Sequence, residues 1–150
     1  MPNVDHFHAY QWIGQRVTLD KMDGLRSTPL DLGNPEFRSA ACPPFRMCDY
    51  LLKAPAQIRK TAHTVDEAVT WLAERFDELA PAFASKESMG PLADRAYLLT
   101  AASAHLAEAD SVCWGFWLTA ERYSTIAVVH CPDFHAPGYN CPIGRKRRSS

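Results

Sequence analysis

No stretch of about 18 consecutive apolar residues occurs in the 150-residue chain, so no membrane-spanning helix is expected. No glycine-rich phosphate loop occurs either, which argues against a nucleotide enzyme of the familiar types. Excess charge of one sign is also missing. Sixteen basic residues against 17 acidic ones leave a net charge of −1, so attraction to nucleic acid or lipid has to come from a local patch. The opening MPNVDHFHAY lacks the basic start and apolar run of a secretory signal. Five cysteines are an odd number for a disulfide framework. Together these absences lead to the expectation of a cytoplasmic protein, with its cysteines serving as core residues, metal ligands or reactive thiols.

What is present is the composition of an ordinary globular domain, 47% hydrophobic and 22% charged. A chain of this length buries roughly 70% of the surface its unfolded form exposes, enough for a core without staples. One domain over residues 1–144 is expected. A flexible basic tail, 145–150, then carries Arg145, Lys146, Arg147 and Arg148.

His6 to Leu19 contains the β-formers Phe7, Tyr10, Trp12, Ile13 and Val17 with a break at Gly14, and reads as one or two short strands. In a strand His6 and His8 share a face, because side chains repeat every two residues. Asp20 to Pro44 is rich in turn residues and is expected to be a long ordered loop with one helical turn. Phe45 to Leu52 has helical spacing, and Gln57 to Ala62 reads as another short turn. Thr64 to Ala80 carries the clearest helix signal: a capping box in Thr64 and Glu67, then Val65, Ala68, Val69, Leu72, Phe76, Leu79 and Phe83 on one face. Pro91 to Ala109 reads as a second helix, with a stripe through Leu92, Ala96, Leu99, Ser103 and Leu106. Val112–Leu118 and Tyr123–His130 read as a hairpin whose turn lacks Asn-Gly or Asp-Gly. The fold class that results is α+β: a small antiparallel sheet, made of the N-terminal strands and the C-terminal hairpin, covered by two main helices.

The chemistry-bearing residues concentrate in the last third. Cys131, His135 and Cys141 bring two thiols and an imidazole into one loop, the ligand types that zinc takes in a tetrahedron. The spacing matches no finger or ribbon knuckle. His130 and Cys131 are strand neighbours and diverge, so a fourth ligand must come from elsewhere: His8, His6, Cys42 or Cys48, with His8 in the assigned set. The bland alternative makes Cys131 core and His135 a solvated loop residue. Cys42 and Cys48 read as buried or partly exposed thiols. On the hairpin, Val112, Trp114, Phe116 and Leu118 form an apolar face for the core, while Trp117 stands beside Cys113 and Gly115 over a shallow groove. Trp117 and Tyr139 are the candidate binding surface, and the simpler reading packs Trp117 against the N-terminal loop.

The functional expectation is a small non-catalytic binding or regulatory module. A structural zinc site sits in its Cys/His loop, and its partner is another protein or a second copy of itself. The alternative is a metal-assisted or cysteine-based hydrolase, with a pocket between the hairpin and the His6/His8 strand. A weaker alternative is nucleic-acid binding through the basic tail.

Overall fold

A computed structural model describes residues 5–85 and 94–144. The N-terminal β-formers make one long strand, β1 (His6–Gln15). The chain then turns into α1 (Arg16–Asp20), so Val17 and Leu19 are helical rather than extended. The turn-rich stretch holds two short helices, α2 (Asp23–Arg26) and α3 (Pro35–Ser39). Proline at the start of α3 and Asn34 accepting from Phe37 N (3.0 Å) explain why it begins there. Met47–Leu52 and Pro55–Gln57 are 3-10 turns. Lys60–Ala62, inside the segment expected to be a turn, is instead a three-residue strand, β2.

Helix α4 (Val65–Leu79) begins at its capping box. Thr64 Oγ1 accepts from Glu67 N (3.1 Å), and Glu67 reaches one residue further back than the usual box to accept from His63 N (2.7 Å). Helix α5 (Arg95–Ala107) is capped by Asp94, which accepts from Tyr97 N. The expected start of this helix at Pro91, and its residue Leu92, lie outside the described residues. Its buried stripe runs through Leu98, Ala102 and Leu106, with Leu99 packed at the margin, and Ala96 faces solvent. The hairpin consists of β3 (Val112–Leu118) and β4 (Arg122–Cys131). Its turn places Ala120 and Glu121 at φ 63° and 56°, the left-handed region that glycine or asparagine would enter more easily.

The four strands form one antiparallel sheet in the order β2-β1-β4-β3. The side facing α4 and α5 is the main core. Phe7, Ala9, Val112, Trp114, Phe116, Leu118, Ile126 and Val128 pack there against Trp71, Leu72, Phe76, Leu79, Leu98 and Leu106. The apolar hairpin face is therefore the one under the helices. The opposite side is covered too, by irregular chain. Tyr50 of the first 3-10 turn stacks on Tyr10 (centroids 4.6 Å apart), and Leu51, Ala127, Val129 and Cys131 complete a second cluster flanked by Met47, Ile58, Tyr139 and Cys141. This is why nearly every residue of β4 is buried.

The irregular layer is tied down by buried polar groups. Asp49 is fully buried; Thr28 Oγ1 donates to it at 2.6 Å and Tyr139 Oη at 2.8 Å. It thus joins the loop before α3, the first 3-10 turn and the C-terminal loop. Lys53 is also buried and donates from Nζ to the carbonyls of Phe37 (2.8 Å) and Ala40 (3.0 Å), with Nζ 3.9 Å above the Phe37 ring. Burial pushes its ammonium below the usual lysine pKa. The residues expected to form a tail, 145–150, lie outside the described residues.

Removing the carboxylate that three segments share leaves two inward hydroxyls without their acceptor. Asp49→Ala is expected to lower the unfolding free energy by about 2–3 kcal/mol, read from the urea midpoint. An unchanged midpoint would show that the tie carries no stability.

Candidate metal centre

Strand geometry alone assembles most of the site. His6 and His8 are two residues apart on β1, so their rings leave the same face, the one opposite the helices. In the β1–β4 register His6 sits directly across from Cys131, and in the β1–β2 register His8 sits across from Thr61. Antiparallel partners project to the same side, so His6, His8, Cys131 and Thr61 meet. Cys141 arrives from beyond the strand, at the end of the loop that Tyr139 anchors to Asp49.

One ligand atom from each of His6, His8, Cys131 and Cys141 lies within 4.8 Å of all the others, and the group can hold a metal ion. His6 Nε2 and His8 Nε2 are 3.1 Å apart, and Cys141 Sγ is 3.5 Å from each. In a tetrahedral zinc site with ordinary bond lengths these edges are about 3.4 Å between nitrogens and about 3.6 Å from nitrogen to sulfur. The ligand atoms of His6, His8 and Cys141 thus stand within a few tenths of an ångström of the spacing an ion needs, with Cys131 within 4.8 Å of each.

The surroundings suit such an ion. His8 and Cys131 are buried, while His6 and Cys141 are half-buried. His8 Nδ1 is 3.0 Å from Thr61 Oγ1. With Nδ1 as the donor to that hydroxyl, the free lone pair falls on Nε2, the nitrogen turned to the cluster. The Cys131 thiol beside it, more than the two imidazoles, holds Cys141 well below the ordinary thiol range, and Cys131 is correspondingly held above it. The buried Tyr10 hydroxyl has no hydrogen-bond partner among the described residues. Burial first, and then the nearby sulfurs of Cys131 and Cys141, raise its pKa.

Of the four ligands expected from sequence, Cys131, Cys141 and His8 come together and His135 does not. The loop carries His135 outward. Its backbone N–H is bonded to Asp133 Oδ1 (2.8 Å), its ring lies 3.3 Å from Asp110, and its side chain is 81% exposed. His6 stands in its place. The signal for His6 was the His-x-His pair on a single strand, which delivers both rings or neither. His130 does point away from Cys131: it packs against Phe7 on the helix side and bonds from Nδ1 to Pro132 O. Cys42 and Cys48 are buried and stand outside the group.

Trp117 and Tyr139 do not form one surface. Tyr139 is half-buried as the partner of Asp49 and packs at the margin of the second cluster. Trp117 is 41% exposed, with the Arg16 guanidinium 4.3 Å above its ring and Tyr123 edge-on at 5.0 Å. The groove expected at Gly115 is filled, since a Cβ there would meet the Tyr123 ring end. Trp117 pairs with Tyr123, which pairs with Gly14. Eight residues of strand then separate that end from His6, about 25 Å at the rise of a β-strand.

Thr61→Val keeps the shape of the side chain and removes the hydroxyl that orients His8. It is expected to weaken zinc affinity about 10- to 100-fold in a competition titration with a chromogenic chelator. Undiminished affinity would mean that the Thr61 contact does not orient the ligand.

No helix among the described residues is long and apolar enough to cross a membrane. No family model, curated protein or solved structure matches the chain.

Proposed function

We propose that the chain is a small, non-catalytic binding or regulatory module whose His2Cys2 centre takes one zinc ion. The ion fastens the C-terminal loop to the sheet face that the helices leave free. The observation that carries this reading is the convergence of four ligand atoms within 4.8 Å from segments more than 120 residues apart in sequence. Paired thiolates and imidazoles in a tetrahedral outline suit zinc above harder cations such as magnesium or calcium. Four protein ligands also close the coordination shell, the arrangement of structural rather than catalytic zinc, which keeps a position for water or substrate. That favours the binding module over a metal-assisted hydrolase. The buried position of Cys131 likewise disfavours it as a nucleophile.

The metal centre is the part that shapes the chain, and the recognition of a partner falls to the other end of the sheet. There Trp117, with Arg16 stacked on it, presents an amphipathic patch suited to another protein.

Elemental analysis of the purified protein tests the metal reading, with about one zinc per chain expected. A ligand present at a thousandfold over its dissociation constant stabilises by about 4 kcal/mol. Each kcal/mol shifts the melting temperature by about 2–4 °C in a domain of this size. Chelation is therefore expected to lower the melting temperature by about 10 °C. Cys141→Ser is expected to abolish stoichiometric zinc, while His135→Ala retains it. Metal-free protein whose melt is indifferent to chelator would sink the proposal, as would loss of zinc in His135→Ala with retention in Cys141→Ser.

A further inference from the structure

Two of the four ligands are sulfurs of different standing. Cys131 is fixed on β4 and is only 2% exposed. Cys141 lies outside the regular elements, half-buried, at the end of a loop. Their sulfur atoms are within 4.8 Å of each other. A disulfide requires the sulfurs to close to about 2.05 Å, and here only the loop side needs to move. Cys141 follows the loop's anchor, Tyr139, by two residues and lies outside any helix or strand. The remaining cysteines, Cys42, Cys48 and Cys113, stand outside the group.

We propose that the centre is a redox-gated metal site: oxidation joins Cys131 to Cys141 and releases the ion. The inference rests on the zinc reading above. With hydrogen peroxide as the oxidant, the two zinc-bound thiolates give up two electrons and form one S–S bond. The O–O bond breaks and takes those electrons, two protons complete two molecules of water, and zinc departs as Zn²⁺. His6 and His8 alone remain, two imidazoles where a structural site uses four ligands, so the ion is not retained. Cys141 is the sulfur the oxidant meets first, because it is only half-buried whereas Cys131 is 2% exposed. The new bond links two of the four residues that the ion would hold, so the loop stays attached to β4 while losing its hold on β1.

The test treats the zinc-loaded full chain with hydrogen peroxide beside a chromogenic zinc chelator, followed by peptide mapping without reduction. Zinc release in step with a Cys131–Cys141 cross-link is expected, reversed by a dithiol reductant with added zinc. Cys113→Ser is expected to release zinc at an unchanged rate, because the exposed Cys113 lies outside the group. Zinc retained while Cys113 is oxidised would overturn the inference and leave the zinc reading standing. So would zinc lost with sulfinic acids, or with a bond to Cys42, Cys48 or Cys113. A protein that neither carries nor takes up zinc overturns both.

Discussion

The β1–β4 register is the constraint on which the rest of the structure depends. Ten consecutive pairs run from His6 with Cys131 to Gln15 with Arg122. Because side chains alternate, one register decides two things together. It sends Phe7, Ala9, Ile126 and Val128 toward α4 and α5, and it sends His6, His8, Val129 and Cys131 to the other side. A slip of one residue would put imidazoles and a thiol into the helix-facing core and turn Phe7 out of it. The hydrophobic core therefore enforces the alignment of the candidate metal ligands. The site inherits its precision from packing on the opposite face of the same strands, where Phe7 and Ile126 have no chemical role.

The second face is a different kind of structure. Among the described residues no long helix covers it, and irregular chain lies there instead. Buried charges tie that chain down. Asp49 accepts hydroxyl donors from two remote segments, and Lys53 satisfies two carbonyls around the end of α3. Such charges are costly to bury unless hydrogen-bonded, but once bonded they select one arrangement of a loop that apolar contacts alone would leave degenerate. Tyr139 links this polar framework to the metal centre. Like Cys141 it packs at the edge of the second cluster, and its phenol is held above its usual pKa by burial and by the bond to Asp49.

The features legible in the sequence are those with a period. The capped helix after Thr64, the hairpin beginning at Val112, its apolar face and the shared direction of His6 and His8 all follow from repeats of 3.6 or 2. Features without a period were hidden. Strand β2 is three residues long and shows no alternation that separates it from a turn. The fate of His135 depended on where a loop containing Pro132, Pro137 and Gly138 would carry it, and local spacing does not encode that. The covering of the second sheet face was invisible for the same reason, since Tyr50 reaches Tyr10 across forty residues of chain. Sequence proximity favoured His135 over His6, whereas strand pairing favoured the residue 125 positions away from Cys131.

That separation bears on what the ion does for the fold. In a small zinc finger the ligands lie close in sequence and the chain is unfolded without metal. Here the ligands span from the first strand to the loop after the last, so they meet only after β1 has paired with β4. The pairing rests on the helix-side core, which contains no ligand. The sheet pairing therefore has its own support, and an ion held by the four residues would act on a structure already made. Its energetic effect would concentrate on the least regular ligand, Cys141, and through that residue on the loop back to Tyr139. A centre arranged in this way could gain or lose an ion while the sheet persists. That persistence is what the proposed redox-gated release requires.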